Sequence, residues 1–200
     1  MKSVAIQAGG ESRRMGQDKA LLPFLETTLV ERVISRVAPL GDELLITTNN
    51  PQEYLDFKFP IFRDLLPGKG ALGGLYTALS VARFPIVIVV ACDMPFVNTD
   101  ILAQAIEKLQ ANDVDVVIPQ TEKGYEPFHA VYRRETCLSA VQSALQSGEK
   151  RLISWFPKVK VTPITESELD QYDPQRIAFR NLNTREDFLN AEVLAQELDQ

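Results

Sequence analysis

Soft metal ligands are scarce in this chain: histidine occurs once, at His129, and cysteine twice, at Cys92 and Cys137. That distribution excludes a zinc site built on spaced Cys and His pairs, and the wide separation of the two cysteines excludes a disulfide framework. No apolar run approaches the roughly 20 residues needed to span a bilayer, and Met1-Lys2 leads directly into a short apolar segment, with no signal-type stretch. A reducing, cytoplasmic setting without membrane contact is the expectation. Positive charge is also in deficit. The formal net charge of −6 is wrong for a sequence-independent grip on nucleic acid, which needs a basic footprint. A phosphate ligand must therefore be met by local clusters of Arg and Lys, and the densest is Arg13, Arg14 and Lys19.

What is present is ordinary globular material, 45% hydrophobic and 24% charged, in a chain of 200 residues with neither internal repeats nor a low-complexity linker. We expect one domain over 1–200. Val4-Ala5-Ile6 reads as a buried strand halted by Gly9-Gly10. Leu29, Val33, Ile34 and Val37 then recur at helical spacing behind Thr27-Thr28, and Leu44-Leu45-Ile46 gives a second strand. Pro60-Ile61-Phe62 is a short strand before an amphipathic helix through Leu72, Leu75, Tyr76 and Leu79. Ile86 to Val90 is a continuous apolar run of the kind covered on both faces in a parallel sheet. Thr99 is positioned to cap the next helix, and Val114 to Ile118 follows as a strand. Beyond it the expected elements are strands at Phe128–Tyr132 and Lys158–Val161, a helix at Thr136–Leu145, and a last helix capped by Thr184. The alternation defines an α/β fold with three layers around a doubly wound, largely parallel sheet, whose ligands sit beyond the carboxyl ends of the strands.

Chemistry concentrates at those ends. The stretch from Ala8 to Lys19 combines Gly9, Gly10 and Gly16 with Arg13, Arg14 and Lys19. Glycines expose backbone N–H groups to a ligand and cations neutralise a triphosphate. It is not a Walker loop, because Lys19 is not followed by Ser or Thr. Asp93 closes the longest apolar strand. It serves equally well alone as a turn residue beside Pro95 or as a magnesium ligand, and its place beside the first loop favours the metal. Gly68-Lys69-Gly70-Ala71-Leu72-Gly73 matches a dinucleotide fingerprint in spacing only. Leu65-Leu66-Pro67 separates it from its strand, so a tight turn with close helix packing accounts for it better than NAD. His129 lies in an apolar run and is read as a hydrogen-bonded strand histidine.

With those residues in view, the chain resembles the bacterial molybdenum cofactor guanylyltransferases, which have a Rossmann-like nucleotidyltransferase fold. The resemblance rests on four stretches: Ala8-Gly9-Gly10-x-Ser12-x-Arg14-Met15-Gly16-x-Asp18-Lys19, Gly70 to Leu75, Cys92-Asp93-x-Pro95, and Asn181-x-Asn183-Thr184 with Glu186-Asp187. It implies transfer of GMP from GTP to molybdenum-molybdopterin with Mg²⁺ and release of pyrophosphate. Proteins that deliver the pterin or mature molybdoenzymes are implied as partners. Carried over by position, the backbone at Gln7, Ala8 and Gly9, with Gly10 in the same loop, meets the nucleotide. Lys19 binds phosphate, Asp64 faces the nucleoside, Asp93 holds the metal, and Arg13 joins Lys19 and Asp93 in catalysis. Asn181 and Asn183 fall on the acceptor side, which makes 1–120 the nucleotide half and 121–200 the acceptor half. The chain departs from the family in three places: Gln7 replaces a usual Leu, Thr47-Thr48 stands where an Asn is common, and Glu126-Pro127 replaces Gln-Pro. A cytidylyl- or sugar-phosphate-type transferase and a non-catalytic nucleotide-binding module are the alternatives. Ala8-Gly9-Gly10, where cytidylyltransferases carry Ala-Ala-Gly, favours guanine because Gly9 leaves room for a purine.

Overall fold

A computed structural model describes residues 1–8 and 18–198. The strands are β1 (Lys2–Gln7), β2 (Pro23–Phe24), β3 (Thr27–Thr28), β4 (Glu43–Thr48), β5 (Ile61–Arg63), β6 (Ile86–Ala91), β7 (Val116–Thr121), β8 (Gly124–Tyr125), β9 (His129–Arg133) and β10 (Val161–Ile164). The helices are α1 (Leu29–Val37), α2 (Gly70–Val81), α3 (Thr99–Ala111), α4 (Arg134–Gln146), α5 (Glu166–Leu169) and α6 (Arg185–Leu198).

An eight-stranded sheet in the order β10-β7-β9-β6-β1-β4-β5, with β8 on β7, forms the middle layer. β1 pairs in parallel with β4 and β6, and β4 with β5. β9 runs antiparallel between β6 and β7, and the β7–β10 pair is parallel again. The sheet is therefore largely parallel with two reversed strands, β8 and β9. Because successive strand residues face opposite sides, Val4, Ile6, Ile88 and Val90 pack into one apolar layer with Val30, Val33 and Ile101. Ala5, Val87 and Val89 pack into the other with Leu72, Leu75, Val141 and Trp155. Both faces of β6 are buried, which is why its sequence is continuously apolar rather than alternating.

Thr28 caps α1 in a reciprocal box with Glu31. For α3 the cap is Asn98, one residue before Thr99, with its carboxamide oxygen accepting from Asp100 N and Ile101 N. The strand expected at Lys158–Val161 lies further on, at Val161–Ile164. Pro157 at the start of a 3-10 turn, Phe156–Lys158, holds the preceding residues out of the sheet. The β2–β3 hairpin was not anticipated; its strands are two residues each, too short for any periodicity.

A third apolar cluster docks α6. Phe24, Leu29, Phe96, Leu182, Phe188, Ala191 and Ala195 are buried together, and Thr184 closes the helix start by accepting from Asp187 N at 3.1 Å. This cluster carries the C-terminal segment back to the strand ends of the nucleotide half. No helix among the described residues is long and apolar enough to cross a membrane.

Candidate active site

The carboxyl ends of β1 and β6 lie side by side, Gln7 opposite Ala91. Backbone hydrogen bonds extend the register past the strands, from Ala8 N to Thr47 O at 2.8 Å and from Cys92 N to Gln7 O at 3.0 Å. Asp93 is thereby delivered beside the exit of β1. The chain returns to that exit at Lys19, inside a 3-10 turn capped by Asp18, whose Oδ1 accepts from Ala20 N at 3.0 Å. Asp18 Oδ2 in turn accepts from the Tyr54 hydroxyl at 2.8 Å. Tyr54 is fully buried, and burial, reinforced by the Asp18 charge, pushes its pKa well up and keeps it a donor. The sequence reading missed Tyr54, for a single aromatic behind Asn50-Pro51 carries no motif.

Lys19 Nζ reaches Asp93 Oδ2 at 2.8 Å and Asn183 Oδ1 at 3.0 Å. Their side chains are shielded, 11% exposed for Lys19 and 19% for Asp93, so this ion pair is stronger than a surface one. An ammonium group has three donors; with two engaged among the described residues, a third can meet a phosphate oxygen. Asn183 is aimed here by its neighbour. Leu182 is buried among Phe24, Phe96 and Phe188, a burial worth about 1.5–3 kcal/mol. The Leu182 N–H donates to Asp93 O at 3.0 Å. With Leu182 turned inward, Asn181 and Asn183 on either side of it both face a cavity of about 280 Å³, whose walls also include Gln7, Ala8, Asp18, Lys19, Cys92 and Asp93.

Six of the residues expected at the site are thus brought together: Gln7, Ala8, Lys19, Asp93, Asn181 and Asn183. Asp64 is not among the walls of this cavity. It follows β5 at the same end of the sheet, its N–H donating to Thr48 O at 3.2 Å, and burial raises its pKa above the usual carboxylate range. Gly9, Gly10 and Arg13 lie outside the described residues. The fingerprint-like stretch is structural in what it shows. Gly68 and Gly70 take φ of +80° and +58° in the turn entering α2, and a Cβ on Gly73 would come within 2.7 Å of Lys69 Cβ. His129 is buried on β9 with Nε2 3.2 Å from Asn98 O, but its Nδ1 has no partner among the described residues, so it is only half satisfied.

Among the described residues no group of three or more His, Cys, Asp or Glu side chains could enclose a metal ion. Two carboxylates line the cavity among the described residues: Asp18, whose oxygens accept from Ala20 N and the Tyr54 hydroxyl, and Asp93, with Oδ2 on Lys19. That set does not make an all-protein cage. It fits a hard cation that takes one or two carboxylates and completes its shell with water and phosphate oxygens, as Mg²⁺ does.

A parallel-sheet α/β fold with a lysine, a strand-end carboxylate and a paired-asparagine segment around one cavity defines a nucleotidyltransferase. Residues 4–161 match the family described as "MobA-like NTP transferase domain". The chain is 32% identical, over 98% of its length and 90% of the relative's, to a "probable molybdenum cofactor guanylyltransferase" of Peptoclostridium acidaminophilum. It is 34% identical to a protein of the same description from Pelotomaculum thermopropionicum, over 96% of this chain and 92% of the other. The solved structure of molybdopterin-guanine dinucleotide biosynthesis protein A from Archaeoglobus fulgidus superposes with a TM-score of 0.83 at 25% identity, covering 98% of this chain and 100% of that one. The chain belongs to the MobA-like NTP transferase family.

Proposed function

We propose that this enzyme transfers GMP from GTP to molybdenum-molybdopterin, forming the guanine dinucleotide of the cofactor and releasing pyrophosphate. The observation that carries the reading is the convergence of Lys19, Asp93 and Asn183 where β1 and β6 end. A terminal phosphate oxygen of the acceptor attacks the α-phosphorus of GTP, one P–O bond forms, and the bond to the departing pyrophosphate breaks. The protein's work in such a transfer is positioning and charge stabilisation. Lys19 holds a phosphate oxygen with its third N–H, and Asp93 and Asn183 fix the ammonium group in place. Bound Mg²⁺, held by Asp93, supplies further charge neutralisation at the phosphates. Arg13, Gly9 and Gly10 complete the nucleotide side in this reading, Asp64 meets the nucleoside, and Asn181 joins Asn183 on the acceptor side.

Residues 1–120 then form the nucleotide half and residues 121–200 the acceptor half of one domain working in the cytoplasm. Proteins that hand over the pterin or receive the product are its expected partners. The test is a magnesium-dependent assay with molybdopterin and each of GTP and CTP, following pyrophosphate and the dinucleotide product. GTP-selective product formation is the expected result; equal use of CTP removes the guanine assignment, and pyrophosphate release with no dinucleotide removes the acceptor.

A further inference from the structure

Beside the Lys19 cavity lies a larger one of about 900 Å³, and Asn181 and Asn183 belong to the walls of both. A substrate in the larger space therefore reaches the Lys19–Asp93 pair past those two side chains. Its walls include Phe96, Phe179 and Glu126. Phe179 is set by an edge contact with the buried His129 ring, at 5.1 Å between centroids.

Glu126 sits where the chain turns from β8 into β9. Its backbone is pinned on both sides, Glu126 N donating to Pro119 O at 3.0 Å and Glu126 O accepting from His129 N at 3.0 Å. Its side chain is half-buried, and its one hydrogen-bond contact among the described residues is Thr121 Oγ1 at 3.5 Å. The single hydroxyl proton of Thr121 is shared with the nearer Gly124 O at 3.2 Å. The carboxylate is consequently partly removed from water with most of its acceptor capacity unused among the described residues, and burial raises its pKa against the hydrogen bond from Thr121 and the nearby charge of Lys123.

Two of the other acidic walls are committed elsewhere. Asp187 Oδ2 accepts from Asn183 N and Thr184 N at the start of α6. Asp170 is paired with Arg176. Glu166 stands in the first turn of α5, and Glu122 is exposed. A pinned, partly desolvated carboxylate beside aromatic rings suits a flat heterocycle that presents two adjacent N–H donors, since a carboxylate accepts from such a pair with both oxygens. The 2-amino-4-oxo edge of a pterin has that pattern. A glutamine at this position would accept through one atom only.

We propose that Glu126 is a specificity residue of the acceptor site, accepting hydrogen bonds from the amino-pyrimidinone edge of the acceptor's pterin ring while Phe179 flanks its plane. The inference rests on the proposed pterin acceptor and deepens it. On this basis acceptor binding needs the ionised carboxylate, so it weakens as pH falls through the raised pKa of Glu126.

The experiment titrates the full chain, wild type and Glu126→Gln, with free pterin and with lumazine, in which an oxo group replaces the 2-amino group. Ligand fluorescence reports binding, and GTP affinity is measured in parallel by calorimetry. Wild type should prefer pterin by about tenfold or more, the fold-change of one charge-assisted hydrogen bond. Glu126→Gln should lose that preference together with its weakening at acid pH, with GTP affinity intact. Retained discrimination in Glu126→Gln overturns the assignment, as does a wild type that binds neither ring or both equally. If Glu126→Gln discriminates like wild type while wild type makes the dinucleotide, only the role of Glu126 fails. If wild type makes no dinucleotide from GTP, the underlying function fails with it.

Discussion

Asn183 Oδ1 accepts a hydrogen bond from Lys19 Nζ at 3.0 Å, joining residues 164 positions apart in the chain. Motif resemblance places these residues on opposite sides of the reaction, Lys19 with the nucleotide and Asn183 with the acceptor. The contact couples the two. Asn183→Ala should therefore weaken GTP binding as well as transfer, since the ammonium loses one of its two anchors. Loss of one hydrogen bond to a charged group costs about 1.5–3 kcal/mol when fully expressed, and Asp93 retains part of the positioning. A drop of roughly threefold to tenfold in GTP affinity is expected, with a larger drop in turnover. Calorimetry with GTP and Mg²⁺, beside a pyrophosphate assay, checks it; an unaltered GTP affinity would restore a strictly divided site.

Two lysines follow glycine-rich stretches, and the structure separates them. Lys19 is shielded and bonded within the cavity. Lys69 is exposed in the turn entering α2, where its side chain makes no capping hydrogen bond. Lys19→Ala should lower nucleotide affinity by one to two decades, about 1.5–3 kcal/mol, and Lys69→Ala should change it little. Equal losses in the two variants would move the phosphate site to the turn before α2.

The order of the longer elements in the first half was legible because β1, β4 and β6 are buried on both faces and α1 and α3 carry apolar residues at helical spacing. β6 is the clearest instance, every residue from Ile86 to Ala91 being buried. The antiparallel insertion of β9 between β6 and β7 was not legible, for pairing direction leaves no trace in periodicity. At the site, Lys19 and Asp93 stood out because charge at a strand end is chemically conspicuous. The routes by which they are held did not. Tyr54 acts through Asp18, and Asn183 is aimed by the burial of Leu182 against Phe24 and Phe188. Both are tertiary contacts between segments with no sequence proximity.

Gln7 and Gly74 form a second coupled pair. A Cβ on Gly74 would lie 2.7 Å from Gln7 Oε1, and Gln7 is buried with Nε2 unpartnered among the described residues. Alanine is the better helix former by about 1 kcal/mol, so propensity alone favours Gly74→Ala. The close contact is with the far end of a flexible side chain that lines the cavity of about 280 Å³ and can turn into it, so propensity should win. Gly74→Ala is expected to stabilise by less than that propensity gain, and Gln7→Ala in the same chain should release the remainder. Urea denaturation of the two single variants and the double variant measures the coupling; strictly additive effects would show that Gln7 does not fill the space above Gly74.

His129 sets a pH limit on stability. Its ring is fully buried on β9, Nε2 facing Asn98 O at 3.2 Å, so the tautomer is fixed with the proton on Nε2 and the Nδ1 lone pair unpartnered among the described residues. Burial lowers its pKa from 6.5 to about 4, against the opposing pull of the Asn98 carbonyl. The unfolded chain then takes up a proton before the folded one does. Stability from this group is fully present above pH 6.5, declines as pH falls from there, and levels off below about 4. The interval corresponds to roughly 3 kcal/mol. Asp64 and Glu126 act in the opposite sense, because burial raises their folded pKa values and acidification relieves the cost of their charge. Comparison with a variant removes their shared contribution: His129→Gln retains an N–H donor, does not titrate, and should have a shallower acid limb than wild type in denaturation between about pH 7 and 4. As the sole histidine of the chain, His129 also gives one unambiguous imidazole signal by NMR, which should stay neutral well below pH 6. A folded-state titration near 6.5, or identical acid limbs in the two proteins, would place the ring in contact with water and remove it as the source of the acid sensitivity.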